Sequence, residues 1–241
     1  MPISNFLTTN RNKRLLCDGL VLLNAIPTES ISCCFLDPQY RQVMDKMKYG
    51  NEGARQKGRA TLTQMPQELI EHFILLIADA LKPGGYLFFW CDKHIIAEGI
   101  HLQMFDWKNR NLPKTHHIAR VDMLTWNKGR MAQGYRLRNQ CEYMLIYQKP
   151  PKSTKTWKDH GIPDNWTEKV PNPRTGHPHN KPTGLTTRLI ECVTESYDYV
   201  LDPCAGSFHT MASCLVSGRN FIGGDIASKY GQEEVIFEDE V

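Results

Sequence analysis

Two apolar runs in this chain each end in an Asp-Pro dipeptide, and this feature most constrains the fold. Residues 31–35 lead through Leu36 into Asp37-Pro38-Gln39-Tyr40, and residues 199–201 lead into Asp202-Pro203-Cys204-Ala205-Gly206-Ser207. Buried strands that open into turns at one edge are typical of parallel α/β sheets, and small ligands bind at that edge. The sequence therefore predicts an α/β chain in which a cofactor and a substrate meet at one sheet edge.

Helical and strand periodicities follow one another along the rest of the chain. Helices are predicted at 66–81, 182–193 and 208–216, and Gly218 is expected to end the third. Strands are predicted at 31–36, 86–91, 121–126, 143–147, 199–201 and 220–224. Residues 15–23 favour a strand or a short helix, and Pro83-Gly84-Gly85 is expected to be a turn. This order predicts a doubly wound, mostly parallel sheet with helices on both faces.

Composition excludes several classes of protein. The chain has 241 residues with 41% hydrophobic content, which suits one large α/β domain. No run reaches the roughly 18 apolar residues of a membrane span, and basic residues interrupt the start of the chain, so a cytoplasmic location is expected. The eight cysteines form no C-x-x-C pair, so neither a zinc site nor a disulfide framework is expected, and we predict no metal.

Charge is segregated along the chain. Residues 108–138 contain eight basic side chains against the single acid Asp122, and residues 41–59 contain six against two acids, whereas residues 225–241 carry six acids and one lysine. Long clusters of one sign favour contact with a polyanion over an ordinary solvated surface. We therefore expect double-stranded DNA or another nucleic acid as a partner.

Two stretches lack periodicity. Residues 149–176 form a short irregular insertion, and residues 41–63 are expected to be a mobile loop directly after the first Asp-Pro turn. The remaining parts, 1–148 and 177–241, are predicted to form one domain.

The second Asp-Pro segment has the plan of a cofactor site. A strand, a Gly-containing turn, a helix and a further strand that ends in Asp225 follow one another, and an acid in that place can bind ribose hydroxyls. The chain has neither a Gly-x-Gly-x-x-Gly fingerprint nor a Walker loop, so a cofactor without a pyrophosphate is favoured.

The ordered set of motifs resembles the β-class amino DNA methyltransferases, which use S-adenosylmethionine and have a Rossmann-like methyltransferase fold. The family's Asp-Pro-Pro-Tyr motif corresponds to residues 37–40, and its His-Pro-x-x-Lys-Pro segment to residues 177–182. Its Asp-Pro-Phe-x-Gly-Ser-Gly loop corresponds to residues 202–208. Residues 17–19, 126–128 and 138–142 resemble other family segments, so the likeness spans roughly residues 16–225.

The resemblance implies a role for individual residues. The target base would be held by Asp37, Pro38, Gln39 and Tyr40, with Tyr40 stacking on a base that has left the duplex. The cofactor would be bound by Asp18, Gly19, Asp37, His177, Asn180, Lys181, Asp202, Cys204, Ala205, Gly206, Ser207 and Asp225. The DNA phosphates would be held by Arg41, Lys128, Arg130, Arg136 and Arg138, with 149–176 as a target-recognition element. Because that element is short, we expect a homodimer to supply further DNA contacts.

The implied reaction is direct in-line transfer of a methyl group to an exocyclic amine, without a covalent enzyme intermediate. An Asp at the head of the first motif is more usual for adenine in this family, so adenine-N6 transfer is the leading hypothesis. Cytosine-N4 transfer is the near alternative, RNA a more distant substrate, and a non-catalytic DNA-binding subunit the alternative of another class. Restriction-modification is the expected setting, with the nuclease partner and the recognition sequence undetermined.

The chain departs from the family pattern at two positions. Gln39 stands in place of the second Pro of the first motif, and Phe208 stands in place of the second Gly of the cofactor loop. The Phe208 ring has two alternative placements, packed beneath the following helix or crowded against the methionine carboxylate. Cys204 follows a Pro, as the nucleophile of cytosine-carbon methyltransferases does, but its place inside the cofactor loop disfavours that role.

Overall fold

One mixed sheet with helices on both faces organises the protein. The structure is a computed structural model that describes residues 3–38, 65–99, 112–131, 136–170, 181–226 and 233–234. Its helices are α1 (Ile3–Asn10), α2 (Gly19–Ala25), α3 (Gln67–Ala80), α4 (Lys93–Ala97), α5 (Thr183–Val193) and α6 (His209–Val216). Its strands are β1 (Leu15–Leu16), β2 (Ile31–Leu36), β3 (Leu81–Cys91), β4 (Ala119–Asn127), β5 (Cys141–Gln148), β6 (Asn165–Thr167), β7 (Tyr199–Asp202), β8 (Asn220–Asp225) and β9 (Glu233–Glu234).

The strand order is β6-β4-β5-β3-β2-β7-β8-β1-β9. Among the described strands, β5 alone runs antiparallel to its neighbours β3 and β4, and the other pairings are parallel. From β2 the chain proceeds to β3 on one side, whereas β7 returns to the other side of β2 and leads outward to β8. The switch point therefore lies between β2 and β7, where α/β sheets bind their ligands.

Alternate residues of the central strands face two separate cores. In β2, Cys34 and Leu36 join a core that is covered by α1, α2, α3 and α4, while Cys33 and Phe35 join a core that is covered by α5 and α6. Because both faces are covered, every residue of β2 is buried, which explains the continuous apolar run in the sequence. The predicted doubly wound sheet with helices on both faces is confirmed.

Most predicted elements are present, and the turn at 83–85 is corrected. Strand β3 begins at Leu81, directly after α3, so Pro83-Gly84-Gly85 lies within the strand and not in a separate turn. The pairing with β2 shifts there, since Ile31 is opposite Leu81 but Cys33 is opposite Tyr86. The additional residues bulge out of the ladder, as Gly and Pro allow.

Three other stretches add detail to the sequence analysis. Residues 15–23 contain both alternatives, since strand β1 is followed by helix α2. Strands β4 and β5 form the expected antiparallel pair around the basic connection. Within the segment 149–170, Asn165–Thr167 forms strand β6 on the edge of β4. The loop predicted at 41–63 lies outside the described residues. No helix in the described ranges has the length and apolar character needed to cross a bilayer.

Candidate active site

Carboxylates collect at the sheet edge where β1, β2, β7 and β8 end. Asp18 follows β1, Asp37 follows β2, Asp202 ends β7 and Asp225 ends β8. All four raise the pKa of the Cys204 thiol, after burial, which is the main cause of its large upward shift. The thiol therefore stays protonated, which agrees with the expectation that Cys204 is not a nucleophile. The edge is a concentrated region of negative potential.

The loop after β7 is built around the Asp202 carboxylate. Asp202 is buried, and its two oxygens accept hydrogen bonds from the Cys204 N–H (3.2 Å) and the Thr210 hydroxyl (2.6 Å). Gly206 has φ of +50°, and its N–H donates to Oδ2 of Asp225 at 2.9 Å. The left-handed conformation favours Gly at this position. The loop and the end of β8 are thus connected as one unit.

The start of α2 closely approaches this loop. The carboxylate of Asp18 accepts from the N–H groups of Leu20 (2.7 Å) and Val21 (3.4 Å), so Asp18 is the N-cap of the helix. A Cβ on Gly19 would lie 2.8 Å from the carbonyl oxygen of Pro203 and 2.6 Å from the Phe73 ring. Only Gly fits between the helix and the loop, which explains the Cys17-Asp18-Gly19 motif physically.

Phe208 is accommodated by the core. Its backbone is left-handed, with φ of +59° and ψ of +31°, in a place where Gly would be unstrained. The ring is buried beneath α6 and packs edge-to-face on Phe221, with the centroids 6.1 Å apart. Of the two alternatives, the ring therefore takes the one beneath the helix, away from the loop surface.

Asp37 belongs to a chain of ion pairs. The ammonium of Lys181 lies 2.9 Å from Oδ2 of Asp37 and 2.8 Å from Oε2 of Glu142. The other oxygen of Glu142 lies 2.5 Å from the ammonium of Lys128. Two carboxylates and two ammonium groups therefore balance each other where β2 ends, and we call these four residues the ion-pair cluster.

The cluster determines the charge of its members. Burial raises the pKa of Asp37, and Lys181 opposes this increase. Burial would also raise the pKa of Glu142, but Lys181 and Lys128 outweigh it and lower that pKa to about 2. Lys181 loses solvation by burial, yet the two carboxylates raise its pKa above the ordinary value. Glu142 and Lys181 are therefore charged throughout the physiological range.

The structure brings together only part of the predicted site. Asp18, Gly19, Asp37, Pro38, Lys181 and the residues 202–207 and 225 lie at one edge of the sheet. Gln39, Tyr40, Arg41, His177 and Asn180 fall outside the described residues. Lys128, which was predicted to bind phosphate, is half-buried and paired with Glu142, so its charge is already balanced inside the protein. Arg130, Arg136 and Arg138 are exposed on the connection between β4 and β5.

Sequence reasoning missed Glu142 as a site residue. Because β5 is antiparallel, its first residues reach the edge at which the parallel strands end, and Glu142 is opposite Trp126 of β4. The sequence signal for Glu142 as a site residue was that an acid stands near the start of an otherwise apolar strand. Its partner could not be identified, since Lys181 is 39 positions away in sequence.

Comparisons with known proteins agree with this geometry. Residues 31–236 match the family model of the N6/N4 methyltransferases, described as DNA methylase. The Type II methyltransferase M.HhaII of Haemophilus parahaemolyticus is 42% identical over 225 residues, which cover 92% of this chain and 93% of that protein. The chain belongs to the N6/N4 DNA methylase family. Members of this family depend on S-adenosylmethionine, which confirms the predicted cofactor.

Solved structures support the fold assignment. The M1.HpyAVI complex with S-adenosylmethionine has a TM-score of 0.60 at 19% identity, covering 90% of this chain and 94% of that one. The cytosine-N4-specific PvuII DNA methyltransferase has a TM-score of 0.64 at 17% identity, covering 92% of this chain and 86% of that one. The Rossmann-like methyltransferase fold is confirmed.

The residues at the edge fit S-adenosylmethionine. The cofactor supplies a methyl group on a positively charged sulfonium, beside an ammonium, and the four carboxylates present negative potential to such a cation. Gly206 has open space where a Cβ would lie, so backbone can approach a ligand there. The matching motifs assign the methionine part to Asp202 through Ser207 and the ribose to Asp225, and these assignments stay predictions.

The buried Asp202 predicts a pH-dependent stability. Burial raises its pKa from 3.8 to about 7, against the opposing hydrogen bonds from Thr210 and Cys204. A carboxyl with a raised pKa in the folded state stabilises the fold fully below pH 4 and loses this contribution as pH rises through 7. Asp202→Asn has no such group, so without cofactor it should be more stable than the wild type at pH 8, by about 4 kcal/mol, and similar at pH 4.

Urea unfolding of both proteins across pH 4–8 measures this difference. Asp122→Asn, at an exposed aspartate on β4, is the control and should follow the wild type. If the free energy of unfolding changed with pH in the same way for Asp202→Asn and the wild type, the raised pKa of Asp202 would be contradicted.

Proposed function

We propose that this protein transfers the methyl group of S-adenosylmethionine to the N6 amine of adenine in double-stranded DNA. The observation that carries the proposal is the position of Asp37 at the switch point, beside the Asp202 loop, with Oδ2 held by Lys181. Asp37 lies close enough to Asp202 for the negative charge of Asp37 to raise the pKa of Asp202. A substrate amine at Asp37 and a cofactor at the loop would therefore be neighbours.

The acceptor groups would activate the amine. An exocyclic amine is a weak nucleophile, because its lone pair is delocalised into the ring. The Asp37 carboxylate and the Pro38 carbonyl would accept its two N–H bonds, which favours a pyramidal nitrogen with its lone pair directed away from the ring. Fixed acceptors of this kind contribute by orientation and by electrostatic stabilisation in a site that excludes water.

Cytosine-N4 transfer is the second candidate. Asp37 and Pro38 would contact only the amine, which adenine and cytosine share, so this part of the site accepts either base. The Asp at the head of the motif favours adenine through the family resemblance. The non-catalytic alternative is weakened, because the Phe208 ring is buried in the core and leaves the cofactor loop clear.

The test of the proposal is methyl transfer to unmethylated duplex DNA with labelled S-adenosylmethionine, followed by mass spectrometry of the nucleosides. N6-methyladenine is the expected product. N4-methylcytosine would show that the target base is cytosine, and the proposed site for the amine would stay the same. Absence of product on a mixture of random duplexes, with cofactor binding measured by calorimetry, would overturn the enzymatic proposal in favour of a DNA-binding subunit.

The basic connection between β4 and β5 is proposed to hold DNA phosphates. It lies at the carboxyl edge of β3, where the Lys93 ammonium donates to the Asn139 side chain at 3.2 Å. Removing Arg130, Arg136 and Arg138 together by alanine should weaken binding of all duplexes alike. It should also reduce the slope of log affinity against log salt by about 0.9 per lost phosphate contact.

Fluorescence anisotropy with labelled duplexes at several salt concentrations measures this effect. Arg11→Ala is the control, because Arg11 is exposed next to Asn12, whose N–H donates to the Phe221 carbonyl near the start of β8, at the opposite edge of the sheet. An unchanged slope in the triple variant would place the DNA elsewhere on the molecule.

Three further parts of the organisation stay proposals. Residues 1–148 and 177–241 would form the catalytic domain, and 149–176 would be the target-recognition element, with β6 attaching it to β4. A homodimer would extend the DNA contact, and a monomeric mass in light scattering with DNA would contradict it. The setting would be restriction-modification, as the name of the Type II relative indicates for that protein, with a cytoplasmic location and an undetermined nuclease partner.

A further inference from the structure

Glu142 lies in the candidate active site without a role in the proposed reaction. It is the second residue of β5 and reaches the same sheet edge as Asp37, on the far side of β3. Its side chain is about one-third exposed, at 31%. A charged residue that starts an apolar central strand is costly unless it is fully paired. Its partners therefore indicate what it does.

Both oxygens of Glu142 are in use. Oε2 accepts from Lys181 at 2.8 Å, and Oε1 pairs with Lys128 at 2.5 Å. Lys181 in turn contacts Oδ2 of Asp37 at 2.9 Å. Within the described part of the chain this contact takes Oδ2, so Oδ1 is the atom available to accept from an amine.

Two buried indole rings keep the ammonium groups in place. The Lys181 ammonium lies 4.9 Å from the centroid of the Trp90 ring, and the Lys128 ammonium lies 5.5 Å from that of Trp126. Both rings are about 1% exposed and pack edge-to-face at 6.0 Å. Because rings at such positions cannot shift without disturbing the core, each ring gives its ammonium group one fixed contact, and Glu142 supplies a second contact to both ammonium groups.

We propose that Glu142 is a positioning residue for methyl transfer: it fixes Lys181, which holds Oδ2 of Asp37 and directs Oδ1 toward the amine of the target base. This inference rests on the proposed function of Asp37. Lys181 alone has three donors and a flexible stem, so it could pair with either oxygen of Asp37 or bridge both. The second anion restricts Lys181 to one placement.

Glu142 also influences how readily Asp37 ionises. Among the residues that the structure describes, the charged or titratable groups that interact with Asp37 are Lys181, Glu142, Lys128, Asp202, Cys91 and Cys204. Of the first two, Lys181 lowers the pKa of Asp37 and Glu142 raises it. Removing the charge of Glu142 should therefore lower the pKa of Asp37. A change in the methyl-transfer rate should then be accompanied by a shift of its pH profile to lower pH.

The experiment compares Glu142→Gln with the wild type. In Glu142→Gln, kcat should fall by about 10–100-fold, as expected when a reacting group is misplaced by less than about an ångström. The acidic limb of the kcat profile, which reports Asp37 in the ternary complex, should move to lower pH. The affinity for S-adenosylmethionine should stay close to the wild-type value. The melting temperature should fall by a few degrees, because Lys181 and Lys128 lose the carboxylate that they share, so the rates are compared well below both melting temperatures.

Glu142→Asp separates charge from geometry. It keeps the anion but shortens the side chain, so the acidic limb should stay at the wild-type pH while kcat falls. Glu195→Gln is the matched control, because Glu195 pairs with Lys158 at the same 2.5 Å distance on an exposed surface away from the site. This control should keep the wild-type rate and profile.

The outcomes are distinguishable from a failure of the proposed function. Wild-type kcat with the acidic limb at the wild-type pH in Glu142→Gln would overturn the inference, as would a loss of rate that the unfolded fraction of the variant at the assay temperature explains completely. If the wild type itself transfers no methyl group, the proposed function fails. Carboxyl ¹³C NMR of Asp37 then still decides on the positioning: a titration midpoint that is the same in Glu142→Gln and the wild type overturns it.

Discussion

Asp37→Ala is expected to lower kcat for methyl transfer by at least about 10²–10³-fold, the loss seen when one fixed hydrogen-bonding group is removed from a reaction centre. The substitution removes the acceptor that would orient the amine and leaves the cofactor loop untouched. Lys181 keeps its contact with Glu142 at 2.8 Å, so its charge stays compensated. The variant should therefore fold, and its affinity for S-adenosylmethionine should change little.

Single-turnover transfer to duplex DNA and calorimetry with S-adenosylmethionine measure the two parts of this result. Asp79→Ala is the matched control. Asp79 is also a partly exposed aspartate with a short side-chain contact, a hydrogen bond with Nε2 of His116 at 2.7 Å, but it lies at the end of α3, next to the start of β3. Turnover retained by Asp37→Ala would exclude the assigned role, and a lost cofactor affinity would indicate that Asp37 acts mainly in binding.

Lys181→Met is expected to reduce the free energy of unfolding by about 2–3 kcal/mol at pH 8. Removing one partner of a buried ion pair leaves an uncompensated charge, and here two carboxylates, Asp37 and Glu142, lose their shared cation. This loss of unfolding free energy is smaller than the loss for a fully buried ion pair, because both carboxylates are about one-third exposed and Lys128 still contacts Glu142. The Met side chain keeps most of the apolar packing on Trp90.

The loss should depend on pH in a known direction. In the wild type the pKa of Glu142 is lowered to about 2, so its contribution is fully present above about pH 4.5 and disappears as pH falls through 2. In the variant, Asp37 loses the cation that lowers its pKa, so its buried negative charge destabilises the folded state. Protonation of Asp37 at low pH removes this charge and the destabilisation with it. The difference between wild type and variant should therefore shrink as the pH is lowered.

Urea unfolding at several pH values tests this prediction. Lys82→Met is the control, because Lys82 pairs with Asp198 at 3.0 Å but is 43% exposed, so its loss should cost less than about 1 kcal/mol. Equal losses in the two variants would contradict a special role for the ion-pair cluster.

Much of the fold followed from local patterns in the sequence. The helical spacing of Leu69, Phe73, Leu76, Ile77 and Ala80 predicted the helix that α3 forms. The continuous apolar runs of β2 and β3 predicted buried strands. The positions of Asp37 and Asp202 at strand ends followed from the Asp-Pro turns. These signals are local, because a helix or a strand displays its periodicity within a few residues.

Local preferences failed where pairing between strands or packing in the core determined the conformation. Pro83-Gly84-Gly85 would be a turn by local chemistry, but pairing with β2 draws it into β3 as a bulge. Phe208 would be unfavourable in a left-handed position by backbone preference, but its ring is stabilised by burial against Phe221. In both cases contacts distant in sequence outweigh a local preference of a few kcal/mol or less.

The sequence by itself determined the class of fold, the edge at which the site lies and the family's motif residues, because each is encoded in a short segment. Only the tertiary structure showed that Lys181 is shared between Asp37 and Glu142, that Lys128 is paired inside the protein and that α2 must carry Gly19 to pass the cofactor loop. Ion pairs and close approaches depend on distances between segments that are far apart in the chain, and these distances are set by the strand order and by the antiparallel direction of β5.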